Sequence, residues 1–354
     1  MSYRNTKVGC RLAAVVLFLG AFCSARGAVL PRPLQFQTLT SKDGLSSDMV
    51  LSVAVQGDLV WFGTYAGGAT LYDPVRKTFK AYTTKGEPQD KVDNGSSINW
   101  QNLLAYNHVS AIRIDGDQIW FGTNFYGFGG GGISCYRLKS KAVWQRFSTF
   151  DRRAKKVIAL AVEPKGVWVG TERGLSFLEK KSGQWAQFYS AQNGLAGNFV
   201  NAILLEADAL WAGTNAGVSR RNQGRTAWKN YGLKEGLTDL DIKALARVGD
   251  KLWAGTSGGL LFACDQPSDR WAGIEVPASL PHRGINGLAV RGALAFICRD
   301  DGVGIYDSAA GRWDGLTVAD GLPSDTVLCA FPTEDGIWFG TDQGASFLHL
   351  PAQK

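Results

Sequence analysis

Two groups of side chains in this sequence of 354 residues have the chemistry to recognise or transform a ligand. The first group combines amides with aromatic rings and lies in or beside residues 84–107 and 125–132. Its members are Trp100, Gln101, Asn102, Tyr106, His108, Asn124, Phe125 and Tyr126. Aromatic faces can stack on a sugar ring while amides bond to its hydroxyl groups, so this composition indicates a saccharide-type ligand. The alternative is that residues 84–107 form a functionally neutral loop.

The second group is acidic and lies late in the chain. Asp300 and Asp301 follow Arg299, and Asp342 occupies the place of Asp300 in the next repeat. Paired carboxylates can act as general acid and base when the pKa of one is raised, with His108 as a further candidate. Solvated turn residues are the alternative explanation. A calcium ion would need more oxygen ligands than this region offers, and no known catalytic motif occurs. We therefore predict no catalytic residue, no metal and no cofactor.

A repeated tetrapeptide, Trp-x-Gly-Thr, organises the chain that positions these residues. Its aromatic anchors are Trp61, Trp120, Trp168, Trp211, Trp253 and Trp338, and Phe296 begins a divergent further copy. The later copies follow one another at about 42 residues, which is the size of a four-stranded blade. Seven copies predict an all-β fold, a seven-bladed β-propeller with four-stranded antiparallel blades.

Each repeat carries the pattern of four strands. A branched aliphatic residue such as Val50 opens the strand nearest the axis, and the anchor lies on the second strand. An indole buries about 200 Å², so each anchor is expected to pack against the next blade, with room left by the glycine two residues later. The motif Asp43-Gly44-Leu45 and its copies are predicted to form the turn into the next inner strand.

The two ends of the repeat region predict how the ring closes. The last copy stops after Phe347–Leu350 without a fourth strand, whereas Phe36–Leu39 has a fourth-strand pattern without the preceding three. The N-terminal strand should therefore join the last blade and cover an open sheet edge. The propeller is predicted to span residues 28–350, followed by a tail at 351–354.

Both insertions fall in loops that share one face of a propeller. Residues 84–107 connect the first blade to the second, and residues 125–132 lengthen the loop between the second and third strands of the second blade. The residue four positions after each anchor should reach the same face, which places Asn124, Asp300 and Asp342 there. Extended loops beside one another often form binding sites, so this face is the predicted site.

Residues 1–27 have the layout of a secretory signal peptide. Basic residues precede an apolar run from Leu12 to Phe22, and small residues follow at 25–28. The run is too short to span a membrane, and the bulky Phe22 before Cys23 argues against a lipoprotein. Cleavage after Gly27 would give a periplasmic or secreted protein without a membrane span. It would also lower the net charge from +7 to +3, which removes the compositional support for nucleic-acid binding.

Four cysteines would remain after such cleavage: Cys135, Cys264, Cys298 and Cys329. Each falls in a predicted strand, where a buried free thiol is one interpretation. An oxidising compartment would permit one disulfide, whose partners the sequence does not select.

The unit Leu-Trp-x-Gly-Thr-x-x-Gly-Leu, followed by aromatic-x-x-aromatic and Asp-Gly-Leu, resembles the two-component regulator propeller repeat. The resemblance covers residues 34–350 and is close at Trp61, Trp168, Trp211, Trp253 and Trp338. It implies a ring of the kind found in extracytoplasmic sensor regions of bacterial hybrid receptors, which usually carry two rings, a membrane helix and a kinase. One ring without helix or kinase implies ligand or partner binding only.

These observations predict a non-catalytic, exported propeller. Its expected partner is a small molecule or an oligosaccharide, or a membrane signalling protein. The alternative is a periplasmic lyase or hydrolase acting at the insertion face, for which analogy with other seven-bladed rings is the main support.

Overall fold

The structure, a computed structural model, describes residues 29–84, 104–124, 132–138, 143–151, 155–265 and 268–352. The predicted signal peptide and most of both insertions (85–103 and 125–131) lie outside these ranges. The described residues form seven separate sheets, each with four antiparallel strands. The predicted all-β, seven-bladed propeller is therefore confirmed.

The strands are numbered in chain order and described from the axis outward. The innermost strands are β2 (Val50–Gln56), β6 (His108–Asp115), β10 (Val157–Glu163), β14 (Val200–Leu205), β18 (Ile242–Val248), β22 (Ile285–Arg291) and β26 (Val327–Pro332). The second strands are β3 (Leu59–Thr64), β7 (Gln118–Asn124), β11 (Gly166–Thr171), β15 (Ala209–Thr214), β19 (Lys251–Thr256), β23 (Leu294–Arg299) and β27 (Gly336–Thr341).

The third strands are β4 (Gly68–Asp73), β8 (Gly132–Arg137), β12 (Gly174–Glu179), β16 (Gly217–Asn222), β20 (Leu261–Asp265), β24 (Gly302–Asp307) and β28 (Gly344–His349). The outer strands are β5 (Thr78–Tyr82), β9 (Val143–Ser148), β13 (Trp185–Tyr189), β17 (Lys229–Tyr231), β21 (Arg270–Gly273), β25 (Arg312–Leu316) and β1 (Phe36–Leu39). Blade 1 contains β2–β5, and blade 7 contains β26–β28 together with β1.

The anchor aromatics pack between successive blades. The ring of Trp61 in blade 1 lies 5.4 Å from that of Phe121 in blade 2, and Trp338 in blade 7 lies 5.2 Å from Phe62 in blade 1. All seven anchor side chains are buried. A Cβ atom on Gly63 would approach Val109 of blade 2 to 2.8 Å, so the glycine after the anchor is required for this close contact.

The N-terminal strand closes the ring. β1 pairs antiparallel with β28, with Phe36 opposite Leu348 and Leu39 opposite Ala345. The segment before β1 also docks, because Arg32 forms ion pairs with Asp314 and Asp320. The predicted closure of the last blade is thus present in the structure.

Two further features bear on the sequence predictions. None of the four cysteines forms a disulfide; Cys135, Cys264 and Cys298 are buried and Cys329 is half-buried. Within the described ranges, no helix has both the length and the apolar character needed to cross a membrane.

Candidate functional site

The upper face of the ring is the end at which the innermost strands begin. There, the loop between the second and third strands bonds to the connection from the previous blade: the amide of Tyr65 donates to Met49 O (2.9 Å), and that of Asn215 donates to Phe199 O (3.0 Å). The amide of Asp300 makes the same bond to Gly284 O (3.2 Å). Residues that follow the anchors by four positions therefore border the upper face in successive blades.

The ends of the first insertion are anchored on this face. The Thr84 amide donates to Asn107 Oδ1 at 2.7 Å, and the Ala105 amide donates to Ser134 Oγ at 3.0 Å. Tyr106 is half-buried within this anchored end. The remaining insertion residues predicted to bind ligand lie outside the described residues; these are Trp100, Gln101, Asn102, Phe125 and Tyr126.

His108 and Asn124 come together beside these attachment points. They lie opposite each other on β6 and β7, and the rings of His108 and Tyr65 meet edge to face at 4.7 Å. Burial, with a smaller contribution from the nearby Lys156 cation, lowers the pKa of His108 to about 4. The imidazole is therefore neutral at pH 7 and suited to exchange hydrogen bonds with an uncharged ligand.

The acidic residues are held by the connection into blade 6. Asp300 Oδ1 accepts a hydrogen bond from Asn286 Nδ2 at 2.8 Å. The Asp301 carboxylate accepts from the main-chain amides of His282 and Arg283 at 3.0–3.1 Å. Asp342 occupies the equivalent edge of blade 7, where its Oδ1 is buried without a hydrogen-bond partner among the described residues. The two neighbouring carboxylates of blade 6 thus act as acceptors, Asp300 for a side chain of β22 and Asp301 for the connection that precedes it.

Arg299 is fully buried and does not contribute to the surface of the upper face. The threonine at this position in other blades bonds to its own turn, as Thr64 Oγ1 does by donating to Gly68 O at 2.9 Å. Arg299 Nη1 instead donates to the carbonyls of Gly259 (2.9 Å) and Arg283 (3.0 Å). Its guanidinium therefore ties blade 6 to the preceding blade.

A groove that the sequence did not predict opens on the upper face of blade 3. Its volume is about 630 Å³, within the usual range of ligand pockets. Its lining residues are Asp151, Lys155, Glu172, Arg173, Phe188, Ser190, Gln192, Asn198 and Phe199. Phe188 stacks on Phe150 with ring centroids 5.3 Å apart and planes inclined by 8°, and Phe150 is 44% exposed.

Charged side chains shape one wall of this groove. Glu172 Oε1 accepts a hydrogen bond from the Lys155 amide at 2.7 Å, and Arg173 Nε lies 4.0 Å from Asp151 Oδ2. One feature of the sequence could have indicated an irregular surface here: the segment after β9 lacks the Asp-Gly-Leu turn found in four other connections. Among the residues described, no group of three or more His, Cys, Asp or Glu side chains could hold a metal ion.

Fold and site together define a closed seven-bladed ring with a polar, loop-rich upper face. No protein-family model and no curated protein matches the sequence. Solved structures do match. The extracellular domain of a hybrid two-component system from B. thetaiotaomicron is 20% identical with a TM-score of 0.71, and the match covers 90% of this chain and 41% of that chain.

Two further structures share the fold. The extracellular domain of a one-component system from B. thetaiotaomicron is 20% identical with a TM-score of 0.67, covering 89% of this chain and 40% of that chain. A computationally designed protein is 12% identical with a TM-score of 0.56, covering 86% of this chain and 96% of that chain. At these identities the matches show the fold alone, and they confirm the resemblance predicted from the repeat at that level. This chain spans about two-fifths of the length of the two bacterial proteins.

Proposed function

We propose that this protein is an exported, non-catalytic propeller that binds a saccharide on its upper face. The groove of blade 3 is the observation that carries the proposal, because it places Phe188, which stacks on the exposed Phe150, beside planar polar side chains. Aromatic faces suit the C–H-rich faces of a sugar, and amide and carboxylate groups match its hydroxyl donors and acceptors.

We include the two insertions in the proposed site because of where their described ends attach. Their described ends attach to the same face, next to His108 and Asn124. Trp100, Gln101, Asn102, Phe125 and Tyr126 supply further aromatic and amide groups in these segments. An extended upper-face site of this kind would suit an oligosaccharide better than a single sugar.

Export and signalling complete the proposal. The sequence of residues 1–27 supports export to the periplasm or the exterior. The structural neighbours are extracellular domains of bacterial signalling systems, which supports a sensor-type role in which a membrane signalling protein reads the bound state. Since Asp300 accepts a hydrogen bond from Asn286 and Asp301 accepts from the amide of His282, we propose no catalytic function.

A glycan array followed by titration calorimetry on the mature protein tests this function. We expect a saccharide ligand whose affinity falls about tenfold in Phe150→Ala, because one stacking surface is lost. Trp100→Ala tests the insertion in the same way. The control is Leu260→Ala, since Leu260 is 46% exposed and lies between the second and third strands of blade 5, away from the groove.

Two results would contradict the proposal. A broad glycan screen without any bound saccharide would refute the ligand class. A saccharide whose affinity is unchanged in both Phe150→Ala and Trp100→Ala would refute the assignment to this face.

A further inference from the structure

A separate cavity lies on the axis of the ring. Its volume is about 350 Å³, and residues from the innermost strands of all seven blades line it. Much of the wall is apolar, with contributions from Val53, Leu245 and Leu288. This size and composition match the lower end of small-ligand sites, which are mainly apolar with a few polar groups.

The charges on the cavity wall are of one sign. Arg113 and Lys243 line the cavity, and none of its described lining residues is acidic. Lys243 is already neutralised, because its Nζ lies 3.0 Å from Asp241 Oδ2. Arg113 is therefore the cation whose charge is left to a ligand.

Arg113 occupies a position that other blades fill with apolar residues. The equivalent residues are Ala54, Ala161, Leu204, Ala246, Ala289 and Phe331. The Arg113 side chain lies on the wall of the cavity and is exposed to solvent. Its Nη1 donates to the carbonyl of the adjacent Ile112 at 2.8 Å, and no described carboxylate lies within ion-pair distance.

We propose that the axial cavity binds a small organic carboxylate through Arg113. A guanidinium presents two parallel N–H groups that match the two oxygens of a carboxylate. The apolar wall suits a short hydrocarbon chain, so a monocarboxylate fits better than a phosphate. This site is distinct from the upper-face groove and does not depend on the saccharide proposal.

Titration calorimetry on the mature protein with acetate, butyrate and hexanoate tests the proposal. Butyramide serves as the neutral analogue and inorganic phosphate as the alternative anion. We expect at least one carboxylate to bind, butyramide and phosphate to bind at least about tenfold more weakly, and Arg113→Met to lose about tenfold or more in carboxylate affinity.

Matched variants separate this site from general charge effects. Lys251→Met removes an exposed cation at the start of β19 and should leave carboxylate binding unchanged, as should Phe150→Ala on the upper face. Arg113→Lys keeps the charge without the planar fork and should bind the carboxylate with an affinity between those of the wild type and Arg113→Met. This variant also tests the site if Arg113→Met fails to fold. Absence of binding by every carboxylate, equal binding by butyramide or phosphate, or unchanged affinity in the Arg113 variants would overturn the proposal.

Discussion

Several arginines connect neighbouring blades in this ring, and Arg113 is an exception among them. Arg291 of blade 6 donates through Nε to Thr333 O of blade 7 at 2.9 Å. Arg247 of blade 5 forms a two-pronged pair with Glu206 of blade 4, with both N–O distances at 2.7 Å. The hydrogen bond of Arg113, by contrast, stays within its own strand. A guanidinium on the cavity wall without such a connection keeps its donors available to a ligand, which favours a role in binding.

His108 should make the stability of the protein depend on pH. Its pKa is lowered from 6.5 to about 4 in the folded protein, so the unfolded chain takes up the proton more readily. Stability is therefore lost as the pH falls from about 6.5 toward 4 and is fully present above 6.5. We expect His108→Gln to flatten this part of the profile by about 1–3 kcal/mol, as measured by urea unfolding between pH 4.5 and 7.5.

The control for this titration is His282→Gln. The His282 side chain is 72% exposed and lies outside the contact between His108 and Tyr65, so this variant controls for the loss of one imidazole elsewhere in the protein. An identical pH dependence in wild type and His108→Gln would show that the buried imidazole does not contribute.

At the scale of single elements, the Asp-Gly-Leu motif builds the turn between blades as predicted. In one copy, Asn193 Oδ1 accepts from the Ser190 amide, while the Leu195 amide donates to Ser190 O at 3.0 Å. The intervening Gly194 has a φ of +141°, and a Cβ there would lie 2.5 Å from Cδ1 of Trp228. Glycine is required for both reasons, because the φ angle is positive and the Trp228 ring approaches closely.

Substituting Gly194 with alanine should therefore destabilise the ring. We expect Gly194→Ala to lower the free energy of unfolding by about 2–4 kcal/mol, since it combines backbone strain with overpacking. Gly273→Ala is the matched control, because a Cβ on Gly273 would meet no atom within 4 Å. Guanidinium unfolding followed by tryptophan fluorescence gives both values, and equal stabilities of the two variants would contradict the role of the turn.

The repeat made the elements predictable, but it did not reveal how irregular segments meet. The anchor aromatics, the glycines beside them and the turn motifs were predictable because each has the same neighbours in every blade. The groove of blade 3 is lined by Asp151, which lies in a connection without the repeated turn, next to Phe150. The surroundings of Arg113 depend on six other innermost strands, so its isolation from carboxylates could not be read from one repeat.

At the scale of the whole molecule, the core is a circle of contacts between blades. Seven hydrophobic clusters occur among the described residues, and each joins two successive blades. The cluster between blades 7 and 1 contains Leu39 of β1 together with Phe62 and Trp338. β1 therefore contributes both a strand edge and a core residue to the closing interface.

Weakening β1 should destabilise the complete ring rather than one edge of it. Leu39 is buried, so we expect Leu39→Ala to lower the free energy of unfolding by about 2–4 kcal/mol. Thr38→Ala in the same strand should change it by at most about 0.5 kcal/mol, because Thr38 is exposed. Deleting residues 34–42 removes the entire strand and should cost several kcal/mol more. Guanidinium unfolding followed by both tryptophan fluorescence and far-ultraviolet circular dichroism measures the effect.

Whether unfolding occurs in one transition or two tests the role of the ring closure. Since every blade interface belongs to one circle, loss of the interface between blades 7 and 1 leaves two sheets with exposed faces and weakens the remaining contacts in turn. We expect Leu39→Ala to shift the fluorescence and circular dichroism transitions together. A separate early transition, with the main midpoint unchanged, would mean that blade 7 detaches alone and that the other six blades do not need the closure.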